Sequence, residues 1–82
     1  MSATDDLTGL PNRSAFTLYL EENADQLNRS AAWLAVFDID GFIYLNDQFG
    51  HLVGDSVLRE VGSLLVAETE GRNLSLFRIV SA

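Results

Sequence analysis

Two carboxylates close an apolar run in this chain: Asp38-Ile39-Asp40 follows Ala-Ala-Trp-Leu-Ala-Val-Phe at residues 31–37. Two side-chain carboxylates and the carbonyl between them present several oxygens to one hard cation, a donor set suited to Mg²⁺ rather than to a softer metal. The same residues also read as a strand exit and a helix cap, with Asp40 capping the helix that follows. An EF-hand is a poor fit, because Phe42 takes a ligand position and the distal Glu is missing. Asn46 and Asp47 stand about two helical turns beyond the carboxylate pair, and an Asn amide offers a base edge both a donor and an acceptor. They also read as the polar face of a short helix. His51 is the only histidine and has no second ligand type beside it, which makes it a turn or packing residue. Asp55 precedes an amphipathic run and reads as an N-cap. Neither GxGxxG nor GxxxxGK[ST] is present. A helix N-terminus after the carboxylates would still turn the N–H groups of Gly41, Phe42 and Ile43 toward a phosphate. With no cationic side chain in that segment, phosphate affinity would depend on the metal.

The elements that must position these groups follow from periodicity. Asp5 to Arg13 reads as a loop punctuated by Pro11, with Asn12 as N-cap. Phe16, Tyr19, Leu20, Ala24 and Leu27 recur at helical spacing, which predicts an amphipathic helix over residues 13–28. The apolar run 31–37 predicts a strand covered on both faces, with the carboxylates at its C-terminal end, where ligand sites of α/β sheets lie. Residues 40–49 predict a short helix closed by Gly50. A turn over residues 50–55 then leads into a second amphipathic helix marked by Val57, Leu58, Val61, Leu64 and Leu65, stopped by Gly71 near Glu70. Leu74, Leu76 and Ile79 alternate with Ser75, Phe77 and Arg78 in a terminal strand over residues 74–79. The expected class is α/β (α+β), in the order helix, strand, helix, helix, strand, with an incomplete sheet.

Composition narrows the chemistry further. The 82 residues are 48% hydrophobic and 21% charged, a globular balance. Twelve carboxylates against five cations give a net charge of −7, and all five cations are arginines. Such a field repels polyanionic nucleic acid and anionic membrane surfaces. The absence of lysine excludes Schiff-base chemistry and a P-loop lysine. The absence of cysteine excludes disulfides, thiolate nucleophiles and cysteine-bound metals. No apolar run is long enough for a bilayer span, and the acidic N-terminus does not read as a signal peptide.

Together, three motifs resemble the GGDEF family of diguanylate cyclases: Asp5-x-Leu7-Thr8-Gly9-Leu10-Pro11-Asn12-Arg13, then Asp38-Ile39-Asp40-x-Phe42-x-x-x-Asn46-Asp47, then Phe49-Gly50-His51-x-x-Gly54-Asp55-x-x-Leu58. The resemblance implies a nucleotide-cyclase-like palm, of which residues 1–82 form a partial domain: its N-terminal half, ending just before the signature loop. It implies that Asp38 and the Ile39 carbonyl bind Mg²⁺, that the backbone near Phe42 and Ile43 meets phosphate, and that Asn46 and Asp55 read the guanine edge. The family's reaction joins two GTP molecules into cyclic di-GMP, each held by one of two domains that meet face to face. The implied setting is cytoplasmic, in bacterial signal transduction. The partners are GTP or another guanine nucleotide, and either self-association or a missing second half of the domain; no nucleic-acid polymer and no membrane insertion are expected.

The departures qualify that expectation. Ile43 stands where the family carries a phosphate-binding lysine, and Arg78 is followed by Ile79-Val80-Ser81-Ala82 in place of the signature loop and its carboxylate. No catalytic set is complete, and no Arg-x-x-Asp inhibition site precedes Arg78. The strand that separates the two expected strands in the family's sheet is also absent, so the terminal strand is expected to pair abnormally or with another chain. The chain is therefore expected to be inactive by itself. A degenerate module for nucleotide sensing or protein contact is the alternative. A more distant one is a haloacid-dehalogenase-type phosphatase fragment, with Asp38 as nucleophile and Asp40 as acid/base; Phe42 in place of a hydroxylic residue and the absence of lysine argue against it.

Overall fold

The computed structural model describes residues 2–80. Four helices appear in order: α1 (Arg13–Glu22), α2 (Ala24–Arg29), α3 (Phe42–Phe49) and α4 (His51–Thr69). Asn12 starts α1 as expected, its side-chain oxygen accepting from the Ala15 N–H at 3.1 Å. The single helix expected over residues 13–28 is instead two. Asn23 parts them: its backbone leaves the helical region at φ −112°, ψ 15°, and its side-chain amide donates to the Tyr19 carbonyl at 2.8 Å beside its own N–H at 3.1 Å. That doubled bond competes with continuation of the helix.

The short helix closes at Gly50 as expected, but the turn expected over residues 50–55 is not a turn. Gly50 makes the whole break by itself: its φ of 89° is a left-handed conformation that costs a side-chain-bearing residue, and His51 then begins α4. His51 is thus an exposed first helical residue rather than a turn or packing residue, and Asp55 lies inside α4 rather than capping it. Asp40 caps nothing either, since Gly41 is the N-cap of α3 and makes no side-chain bond. Glu70 caps α4 and Gly71 follows with φ 76°, matching the expected stop.

Neither expected strand forms. Residues 31–37 and 74–80 carry no ladder, and the only β-bridge among the described residues joins Thr4 to Pro11. A strand exists only when a neighbour takes its N–H and C=O groups in a ladder; among the described residues none pairs with residues 31–37, and residues 74–80 make a single backbone bond to another segment, from the Arg78 N–H to the Pro11 carbonyl. The run 31–37 is exposed throughout rather than covered on both faces. Ser81 and Ala82, the last residues of the expected chain end, lie outside the described residues.

Packing is correspondingly open. Among the described residues no hydrophobic side chain is fully buried, and Gly54 and Gly62 of α4 are the buried positions. The radius of gyration is 14.6 Å, against about 12 Å for a compact chain of this length. What order there is comes from α3 packed on α4, and from the terminal segment laid on α1. The Phe77 ring sits 5.1 Å from that of Phe16 and 5.6 Å from that of Tyr19, both tilted.

Candidate functional site

The α3–α4 hairpin seats Asn46, singled out by sequence, against the residue that precedes Asp55, also singled out. Asn46 projects from α3 onto α4 at Gly54, and Asp55 is the next residue on α4. A Cβ built on Gly54 would fall on the Asn46 side-chain oxygen, so glycine is what lets the two helices close at this point. The Asn46 Oδ1 atom is buried and, among the described residues, has no hydrogen-bond partner. A buried amide oxygen left unpaired costs about 1–3 kcal/mol, which a donor on a ligand would recover. Asn46 and Asp55 are both half-buried, with the Asp55 carboxylate available as an acceptor.

The carboxylate pair is placed differently. Asp38 and Asp40 are exposed and Ile39 is half-buried, and among the described residues no three acidic or histidine side chains converge into a nest. The Ile39 carbonyl accepts from the Phe42 N–H at 3.3 Å, which turns the chain into α3 and leaves that oxygen a second lone pair. Asp38 and the Ile39 carbonyl are oxygen donors of the kind a hard divalent cation takes, and they would leave most of an octahedral shell to water or phosphate. The donor chemistry fits Mg²⁺. At the start of α3 no side chain caps the first turn; the Phe42 N–H goes to the Ile39 carbonyl, and the Ile43 N–H enters no backbone bond outside the helix among the described residues. Ile43 is 78% exposed and brings no charge. Asp47 is exposed on α3, a polar-face residue.

One polar cluster was not anticipated from the sequence as a unit. Asp5 accepts from the Thr8 N–H and hydroxyl at 2.9 and 2.7 Å, and both of its oxygens accept from Arg78 Nη1 at 2.9 Å. The Arg78 N–H also donates to the Pro11 carbonyl at 2.8 Å. Burial pushes the Asp5 carboxyl up, but the bonds from Thr8 and Arg78 and the guanidinium charge outweigh it and hold the group below its ordinary value. The Asp5–Thr8 half is legible as a local Asx-type turn. The Arg78 half is not, since 73 residues separate the partners. An open cavity of about 460 Å³ lies beside this cluster between Leu10, Val66, Leu74 and Phe77, and none of the residues singled out for metal or nucleotide binding lines it.

Comparison with known proteins matches residues 2–79 to the family described as "Diguanylate cyclase, GGDEF domain". The chain is 48% identical over 64 residues to the diguanylate cyclase DgcP of Pseudomonas aeruginosa, covering 76% of this chain and 10% of that protein. It is 42% identical over 78 residues to the diguanylate cyclase DgcN of Escherichia coli, covering 92% of this chain and 18% of that protein. It is 33% identical over 67 residues to the cyclic di-GMP phosphodiesterase PdeR of Escherichia coli, covering 82% of this chain and 10% of that protein. The chain thus spans between 10% and 18% of the length of these curated relatives.

Proposed function

The chain belongs to the GGDEF-domain family of diguanylate cyclases, and from that premise we propose that it is a guanine-nucleotide-binding module of cyclic di-GMP signalling that does not turn over GTP by itself. The observation that carries the binding half is the buried Asn46 Oδ1, which has no partner among the described residues and lies against Gly54, the residue before Asp55. An amide oxygen and a carboxylate accept from the N–H groups of a guanine edge, and the Asn46 amide N–H₂ donates to its carbonyl. The Ile43 N–H meets the phosphates, joined by the Phe42 N–H once it exchanges the Ile39 carbonyl for a phosphate oxygen. Asp38 and the Ile39 carbonyl hold Mg²⁺, which supplies charge neutralisation at the phosphates when bound.

The inactive half rests on Ile43, which offers no charge where the family carries a lysine, and on residues 79–82, which do not spell the signature loop. We take residues 1–82 as a single stretch of GGDEF domain, in keeping with the family match over residues 2–79. The setting is cytoplasmic, where GTP is found; among the described residues no helix is long and apolar enough to cross a membrane. A sensing or protein-contact role is the second reading, favoured by Ile43 and by the likeness to a relative named as a phosphodiesterase.

A calorimetric titration of the chain with GTP and Mg²⁺ tests both halves. Saturable binding that Asn46→Ala weakens by about tenfold, roughly 1.4 kcal/mol, is expected. A flat titration removes the nucleotide reading and leaves protein contact. Cyclic di-GMP produced above the level of an Asp38→Ala control would refute the inactivity.

A further inference from the structure

Asp40 is the carboxylate of the Asp38-Ile39-Asp40 run that the nucleotide reading leaves unused, and glycine follows it. Asp40-Gly41 is the only Asp-Gly step in the chain, and no asparagine precedes a glycine. A carboxyl next to glycine is open to attack by the following main-chain nitrogen, because no Cβ shields that nitrogen or restrains its backbone. Local structure decides whether such a step reacts or stays inert.

Here the step is open. Asp40 and Gly41 are both exposed. Among the described residues the Gly41 N–H enters no backbone hydrogen bond and the Asp40 carboxylate enters no ion pair. Gly41 holds φ 72°, and a Cβ built on it would meet nothing within 4 Å, so the step has room to turn. The other aspartates are held or shielded. Asp5 is bound by Thr8 and Arg78. Asp25, Asp47 and Asp55 lie inside α2, α3 and α4. Asp6 and Asp38 precede Leu7 and Ile39, whose branched side chains crowd the attacking nitrogen.

We propose that Asp40-Gly41 is a self-modification site, at which the chain closes a succinimide and opens it to isoaspartate. The Gly41 nitrogen bonds to the Asp40 Cγ and gives up its proton, while the Cγ–OH bond breaks and water leaves. Water then opens the imide. Cleavage between the nitrogen and Cγ restores aspartate. Cleavage between the nitrogen and the Asp40 main-chain carbonyl carbon leaves Gly41 joined through Cγ, and that carbonyl becomes the free carboxylate. One water leaves and one returns, so the sequence needs no oxidant and no other reactant. The product carries an extra methylene in the main chain between Ile39 and Phe42, whose carbonyl and N–H close the turn into α3 at 3.3 Å. Its new carboxylate is the group that a carboxyl methyltransferase selective for isoaspartate would take. The proposal is independent of the nucleotide reading, so its test contains no nucleotide.

The chain is incubated in warm neutral buffer and mapped by mass spectrometry with electron-transfer fragmentation, which separates isoaspartate from aspartate. Residue 40 is expected to gain isoaspartate with time, through an imide lighter by one water, and to exceed all other Asp and Asn positions together. Asp40→Glu keeps the charge but needs a larger ring. It is expected to abolish the signal while leaving the helical circular dichroism unchanged. Native chain that forms none at residue 40 overturns the proposal, and formation in urea-unfolded chain alone would assign the protection to the fold. Product spread over other positions, or a signal that Asp40→Glu leaves intact, overturns it equally.

Discussion

Asp5 and Asn46 show how differently two polar residues are used. Asp5 is satisfied four times over, by two donors from Thr8 and by Arg78 on both oxygens, and its side chain is 15% exposed. Replacing it by Asn removes the charge from that cluster, and Asp5→Asn is expected to cost on the order of 1–2 kcal/mol in a denaturant melt. The pH dependence follows from the same bonds. The folded value lies below the ordinary 3.8, so the unfolded chain takes up the proton first. The contribution is fully present above pH 3.8 and fades as pH falls through the lowered folded value, and the Asp5→Asn chain is expected to lack that part of the acid slope. Asn46 is the opposite case, with a buried oxygen that no described residue satisfies. Gly54→Ala would drive the Asn46 side chain out of its seat, while Ala gains about 1 kcal/mol over Gly in a helix interior. Thermal stability is expected to change little and GTP affinity to fall about tenfold, roughly 1.4 kcal/mol, a split that titration and melting measure separately. A purely structural role for Asn46 would move the melt instead.

Helix boundaries are set here by single residues whose chemistry is local, and where that chemistry is one-sided the sequence shows it. Asn12 caps α1 and Gly50 ends α3 as their types suggest. Asn12→Ala is expected to cost about 1 kcal/mol, read as a lowered midpoint and a frayed α1 by hydrogen exchange. Boundaries fail to be legible where a residue has two uses. Gly54 has the look of a turn residue, yet it sits inside α4 because its missing Cβ admits Asn46. Asn23 has no strong signal as a stop, and it parts α1 from α2 through its own backbone conformation and its bonds to Tyr19. The strand expectations over 31–37 and 74–79 rested on β-propensity and apolar character. These measure fitness for a pleated, half-buried surface rather than an ability to form one without a neighbour.

At the scale of the whole molecule, the missing sheet decides the energetics. With no fully buried hydrophobic side chain among the described residues, unfolding exposes little new surface. Urea unfolding of dilute chain is therefore expected to be broad, with a slope well under about 1 kcal/mol/M, whereas a compact core would give at least that. Residue type and short-range spacing set the presence of helices around residues 13–28, 42–49 and 57–69, the acidic and lysine-free character, the family motifs and the choice of Asn46, Asp55 and Asp38 as candidate site residues. That Asn46 lies against Gly54, that Asp5 holds Arg78 across 73 residues, and that residues 31–37 stand uncovered emerges from the folded chain alone. Those depend on which segments lie side by side, and a backbone edge or an unpaired oxygen carries no mark in the sequence until its neighbour is present or missing.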